Sequence, residues 1–108
     1  LADAELLLSA DESIIFKTVH TADYNSTERC RITSDGHFKP AANATYDLGV
    51  SGSAWRNLYV NDAHFSNEGH SNSVDGTWGS WTLQEGENDI FMINNRTGKK
   101  YAITMREV

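Results

Sequence analysis

Residues 78–105 read WGSWTLQEGENDIFMINNRTGKKYAITM, and this stretch decides the fold class. Three segments rich in β-branched and aromatic residues, which are typical of strands, lie at 78–84, 89–94 and 99–105. Turn-forming runs separate them at 85–88 and 95–98. Gly98 suits a left-handed turn residue, and Tyr101, Ile103 and Met105 alternate onto one face. The stretch therefore predicts a three-stranded antiparallel meander.

Further strands are predicted upstream of this meander. Segment 13–19 (SIIFKTV) is β-branched and aromatic, and segment 28–33 (ERCRIT) places Cys30 and Ile32 on one face and Arg29 and Arg31 on the other. A turn is expected at 34–36, where Asp-Gly tolerates positive φ. The remaining predictions are a strand or helical turn at 4–9, a loop at 20–27, loop-rich chain at 37–60 and a polar connection at 61–77. The predicted fold is all-β, with short strands and long loops.

Composition limits the classes of protein to which the chain can belong. Its 108 residues fit one compact unit or two small ones, and the formal net charge is -6. Scattered basic residues argue against nucleic-acid binding, and no apolar run is long enough to span a membrane. The single cysteine excludes an intrachain disulfide, so oligomerisation is the expected source of extra stability. The chain start is expected to be a cut from a longer protein, since it shows neither Met nor a secretory signal.

Catalytic and metal-binding signatures do not emerge from the residues. The four histidines do not match a metal spacing, and Cys30 lies mid-strand, where burial in a core is expected. Acidic residues around Glu85–Asp89 and at Asn61–Asp62 are better explained as solvated turns than as calcium sites. His64 and His70 could hold a metal only on an oligomer axis. We predict no enzyme activity, no cofactor and no metal.

Trp78 and Trp81 are the strongest candidates for ligand contact, because an indole face stacks on sugar rings. Residues three apart on a strand point to opposite faces, so one tryptophan should pack and the other face outward. The 61–77 connection leads into them and is too long for a tight turn. We therefore expect this loop, through His70 and Asn72, to form a binding face with one tryptophan.

Two motifs resemble bacteriophage tail fibres and tailspikes. Residues 28–36 (ERCRITSDG) are similar to an ERMRITSDG-type run, with Cys30 at the usual Met position. Residues 40–49 (PAANATYDLG) and 55–59 (WRNLY) are similar to the DLG…WRNLY motif of these fibres. Many such fibres continue into a self-cleaving chaperone, whose cleavage site contains a Ser-Asp dyad. The only Ser-Asp pair here is Ser34-Asp35 in the earlier turn, and no charged helical region follows Tyr59. The resemblance therefore implies the distal, C-terminal tip.

The resemblance implies a virion protein that forms an intertwined parallel homotrimer. Leu48, Trp55, Leu58 and Tyr59 would pack between neighbouring chains. Residues 1–61 would be the trimerising region, and residues 62–108 the C-terminal β tip. The implied function is trimerisation of the fibre and binding of a host-surface glycan or protein. It involves no nucleic acid and no insertion into a membrane.

Two alternatives belong to other functional classes. A polysaccharide-degrading tailspike fragment would need paired carboxylates in a cleft, and the short chain offers no evident one. A stand-alone β-sandwich lectin would bind sugars as a monomer. The mass of the particle in solution would distinguish a monomeric lectin from a trimeric fibre tip. Hydrolysis of host polysaccharide would distinguish a tailspike enzyme from a protein that only binds the host surface.

Overall fold

The computed structural model describes residues 4–19 and 25–108, which form β-strands and no helix. The strands are β1 (Ile14–Val19), β2 (Ser26–Ile32), β3 (Phe38–Pro40), β4 (Ala63–Ser66), β5 (Ser80–Glu85), β6 (Ile90–Asn94) and β7 (Lys100–Ala102). They make one three-stranded and one four-stranded antiparallel sheet. The all-β prediction is therefore confirmed. Nothing in the described part of the chain could cross a membrane as a helix.

The chain divides into two compact units, Leu1–Trp55 and Arg56–Val108. This division lies a few residues before the boundary predicted from the motifs. The first unit contains the β1-β2-β3 sheet, and the second contains the β4-β5-β6-β7 sheet. Each unit therefore has one sheet, and each leaves two sheet faces to be covered or exposed.

The first sheet carries apolar side chains on one face. Phe16 pairs with Cys30, and Ile32 pairs with Phe38 across the next strand. Directly paired residues share a face, and the Phe16 and Phe38 ring centroids are 6.2 Å apart on it. No second sheet among the described residues of this unit covers the face, and Phe38 remains 65% exposed.

A register shift between Phe16 and Lys17 gives the two strand arginines different partners. The Arg31 guanidinium forms a salt bridge with the Glu28 carboxylate, whereas the Arg29 Nε donates a hydrogen bond to Thr18 Oγ1 at 2.7 Å. The guanidinium of Arg29 also lies over the Tyr46 ring, 5.3 Å from its centroid. The strict alternation predicted for Arg29 and Arg31 did not allow for this bulge, which inserts an extra residue into one strand.

The second sheet contains the predicted meander as β5, β6 and β7. The prediction missed β4, since 61–77 was assigned to a polar connection. β4 pairs with β5 through Ala63 with Leu83 and Phe65 with Trp81. Ala63 and Phe65 are the two apolar residues of β4, and an alternating pattern of two residues is too short to predict a strand in a polar sequence. Long-range pairing with β5 forms this strand, not local propensity.

Other boundaries also differ from the sequence predictions. β5 begins at Ser80, so Trp78 precedes the strand, and β7 ends at Ala102. The 4–9 segment forms neither a strand nor a helix, and 55–60 is irregular loop. Residues 20–24 of the predicted 20–27 loop lie outside the described residues.

The described residues contain no buried hydrophobic side chain. The one buried residue is polar: Thr82 is 5% exposed, and its hydroxyl oxygen lies 2.9 Å from Nδ1 of His64. Asn95 Nδ2 also donates to this oxygen, at 3.1 Å. Cys30 is half-buried rather than enclosed in a core as predicted, because its sheet face has no covering layer.

The accessible surface is correspondingly large, at 9979 Å². A folded monomer of 12.0 kDa should expose about 6,000 Å². Two separately folded domains of half that mass would together expose about 7,200 Å². The single chain therefore exposes about 2,800 Å² more accessible surface than two separately folded domains would, and we call this excess the surplus.

Candidate functional site

Asn72 organises the loop between β4 and β5. Its Oδ1 accepts hydrogen bonds from the backbone N–H groups of Val74 and Asp75, at 2.8 and 2.9 Å. Its Nδ2 donates to Asp75 Oδ1 at 2.7 Å and to the Thr77 carbonyl at 2.9 Å. Asparagine is favoured in turns because its short side chain satisfies nearby backbone groups in this way. The loop is therefore held by its own side chains.

Asn67 closes the base of the same loop. Its Oδ1 accepts from the Gly79 N–H at 2.7 Å, and its own N–H donates to the Gly79 carbonyl at 3.2 Å. These bonds follow directly on the Ser66–Ser80 pair and extend the β4–β5 ladder. The 67–79 segment is therefore an ordered loop with a closed base rather than a free connection.

Asp75 lies within this loop as a stabilised carboxylate. Its Oδ1 accepts from Asn72 Nδ2 and from the Thr77 N–H and hydroxyl, the last two at 3.1 and 2.8 Å. These hydrogen bonds, with that from Asn72 the strongest contribution, lower the pKa of Asp75 below its usual range. Asp75 therefore presents a hydrogen-bond acceptor and a negative charge at neutral pH.

A cleft of about 500 Å³ lies between this loop and the β6–β7 turn. Its lining residues are Asn72, Asp75, Thr77, Trp78, Gly79, Trp81, Asn94, Arg96 and Thr97. The volume is in the range of small-ligand sites. The cleft combines two indoles, a carboxylate, a guanidinium and amides, which suits a ligand having both an apolar face and hydrogen-bonding groups.

Arg96 fixes Trp78 at one side of the cleft. Its Cζ lies 3.8 Å from the centroid of the Trp78 ring, and its Nη1 donates to the Trp78 carbonyl at 3.0 Å. Asn94 Oδ1 accepts from the Arg96 N–H at 3.0 Å and so shapes the turn that carries Arg96. Stacking and hydrogen bonding together hold the guanidinium and the indole in one arrangement.

Trp81 stands between two adjoining clefts. Its ring lies 5.8 Å from that of Tyr101, centroid to centroid. On its other side is a second, more open cleft of about 560 Å³, which shares Asn72, Gly79 and Trp81 with the first. Phe65 and Asn67 also line the second cleft.

The structure brings together three of the four residues proposed for receptor contact. Trp78, Trp81 and Asn72 line the first cleft, whereas His70 does not. His70 instead donates its backbone N–H to the Asn67 carbonyl at 2.8 Å. Asp75 and Arg96 were not predicted. The predicted β5–β6 hairpin was an available signal, because it brings the 95–98 turn beside the tryptophans.

The residues proposed for trimer packing lie on both sides of a tight turn. Val50 and Ser53 form a two-residue bridge, and Gly49 takes a φ of 83°. A Cβ on Gly49 would lie 3.5 Å from Trp55 Cδ1, so the indole packs close to this glycine. Much of each predicted packing side chain is nevertheless open: Leu48, Trp55, Leu58 and Tyr59 are 73, 70, 73 and 90% exposed.

In the described ranges, no group of three or more His, Cys, Asp or Glu side chains could hold a metal ion. Asp62 instead accepts a hydrogen bond from Gln84 Nε2 at 3.1 Å.

Comparison of the chain with protein-family models, curated proteins and solved structures finds no match.

Proposed function

We propose that this chain is the distal tip of a phage tail fibre, which trimerises and binds a host-surface glycan or protein. The observation that carries the proposal is the absence of buried hydrophobic side chains among the described residues. Burial of apolar surface is the dominant favourable contribution to folding, so a stable form of this chain requires partners that supply it. The DLG and WRNLY motifs connect this need to fibre proteins.

The amount of exposed surface supports a permanent assembly. Obligate interfaces bury roughly 1,000–2,500 Å² on each partner. The surplus of about 2,800 Å² per chain is sufficient for an interface of that class. A monomeric lectin is less favoured for the same reason, because a β-sandwich encloses a core between its two sheets.

The DLG–WRNLY segment would supply part of this interface. Leu48, Trp55, Leu58 and Tyr59 are apolar, highly exposed and close in sequence, and neighbouring chains would cover them. The tight turn at Val50–Ser53 and the left-handed Gly49 would set the direction in which Trp55 projects. This role needs shape and hydrophobicity and no catalytic group.

The cleft beside Trp78 is the proposed receptor contact. Trp78 and Arg96 are residue types that often dominate binding energy, while Asn72 and Asp75 can hydrogen-bond hydroxyl groups of a glycan. A polysaccharide-degrading function is less favoured. Such enzymes generally use two carboxyl groups about the scissile bond, and Asp75 is the one carboxylate lining this cleft.

Replacing Trp78 or Arg96 with alanine is expected to reduce binding of the protein to host cells by about 30-fold, the equivalent of a 2 kcal/mol contact. The mass of the assembly should not change. Binding of fluorescently labelled protein to cells measures the effect, and Arg106→Ala is the matched control on an exposed arginine outside the cleft. Unchanged cell binding of both cleft variants would place the receptor contact elsewhere.

Point substitutions test the cleft better than a shortened loop. Ser66 ends β4, and Asn67 bonds to Gly79 at the base of the loop. Deleting residues 66–73 would therefore disturb the β4–β5 pairing as well as the cleft. A loss of adsorption after such a deletion could not be assigned to the receptor site.

A further inference from the structure

One face of the second sheet is apolar across its strands. Leu83, Met92 and Tyr101 pair in one row, and Phe65 and Trp81 pair in the next, which the polar Asn94 continues on β6. Ile103, which donates its N–H to the Ile90 carbonyl at 2.8 Å, continues the ladder past Tyr101 on the same face. Side chains two residues apart on a strand, and those directly paired, point to one side of a sheet. We call this set, Phe65, Trp81, Leu83, Met92, Tyr101 and Ile103, the apolar face.

The opposite face of this sheet is more polar and is tied together by hydrogen bonds. Thr82, which alternates with Trp81 and Leu83, bonds to His64 and Asn95. Gln84 on the same side bonds to Asp62. Phe91 and Ile93 also lie on this side and are half-buried. The two faces therefore differ in composition: the opposite face carries a hydrogen-bonded polar cluster beside its apolar residues, and the apolar face consists mainly of large apolar side chains.

The apolar face is only partly buried by its own neighbours. Trp81, Leu83 and Met92 are half-buried, Phe65 is 57% exposed and Tyr101 is 48% exposed. An uncovered surface of this kind marks an interaction site. The chain's surplus of about 2,800 Å² is enough for an obligate self-interface.

We infer that the apolar face packs against other copies of the same chain in the assembly. This inference rests on the self-association in the proposed function and adds a second contact region to the DLG–WRNLY segment. It also gives the two tryptophans different roles. Trp81 becomes a subunit-interface residue, whereas Trp78, which precedes β5 and stacks with Arg96, remains the indole available to a receptor.

Adjacent residues on β7 offer a matched test. Tyr101 lies on the apolar face and Lys100 on the opposite one, since Tyr101 pairs with Met92 and Lys100 with Ile93. Tyr101→Glu should convert particles of 36 kDa, three chains of 12.0 kDa, into monomers. Lys100→Glu should leave the mass at 36 kDa. Light scattering measures mass, and circular dichroism checks that strands persist. A folded Tyr101→Glu variant that keeps the mass of Lys100→Glu would overturn the inference.

Hydroxyl-radical footprinting of the unmodified protein provides a test that does not depend on variant folding. Phe65 and Tyr101 should be modified at least fivefold less than their exposure in one chain predicts. Val74, which is 93% exposed in the 67–79 loop, should react fully. Full reactivity of Phe65 and Tyr101 in a 36 kDa particle would overturn the inference while leaving the proposed trimer intact. A 12 kDa particle would instead overturn the self-association itself.

Discussion

Trp55→Ala is expected to destabilise the assembled protein by roughly 3–5 kcal/mol per chain, the usual cost of removing a large buried aromatic side chain. In one chain the indole is 70% exposed, so its removal from an isolated subunit would cost much less. The full loss arises only if neighbouring chains cover Trp55. Chemical denaturation at several protein concentrations measures this loss. Leu48→Ala should show the same behaviour with a smaller loss.

Trp78→Ala serves as the control for this substitution. It removes an indole of equal size from the cleft, where the main described partner is the exposed Arg96. Trp78 is half-buried within its own chain, so its removal should cost stability without weakening the association of the chains. If Trp55→Ala dissociates into monomers on dilution no more readily than Trp78→Ala does, the DLG–WRNLY segment does not form the subunit interface.

Gly49→Val is expected to destabilise the protein by about 2–4 kcal/mol, for two reasons. Gly49 has a φ of 83°, which a β-branched residue adopts only with strain. A Cβ there would also lie 3.4 Å from the Ser53 carbonyl oxygen and 3.5 Å from Trp55 Cδ1, so the valine methyl groups would crowd both.

Gly52→Val separates these two contributions. Gly52 has a φ of 81°, but a Cβ there would meet no atom within 4 Å. This variant should show only the backbone strain, about 1–2 kcal/mol. The difference between the two free energies of unfolding measures how closely the Ser53 carbonyl and the Trp55 indole pack against Gly49. Equal losses would mean that Gly49 and Trp55 do not act as one unit.

The strands β1, β2 and the β5–β7 meander were predictable from the sequence, whereas β3 (Phe38–Pro40) lies in the 37–60 stretch that was predicted as loop-rich. Each strand of the β5–β7 meander has enough β-branched and aromatic residues, and each turn enough polar and glycine residues, to be recognised alone. The Asp35-Gly36 turn also lies where expected, with Gly36 at a φ of 94°. In these segments local propensity and tertiary pairing favour the same conformation.

Features that depend on distant residues were not predictable. Ala63 and Phe65 become a strand because Leu83 and Trp81 pair with them, and the register shift at Phe16–Lys17 redirects Arg29.

The composition of the cleft also depends on residues that are distant in sequence. Trp78, Trp81 and Asn72 were identified by residue type, but Asp75 and Arg96 gain their roles only from the folding of two separate loops. Cys30 was expected in a core, whereas the described residues of a single chain bury no hydrophobic side chain.

The mass of the unmodified protein in solution tests the central claim most directly. Size-exclusion chromatography with light scattering should give 36 kDa, three copies of the 12.0 kDa chain. That mass should persist on dilution from micromolar to nanomolar concentration, because chains without a buried apolar core depend on one another. It should also persist in reducing agent, since the single Cys30 cannot link the chains of a trimer. A folded particle of 12 kDa at micromolar concentration would contradict the account.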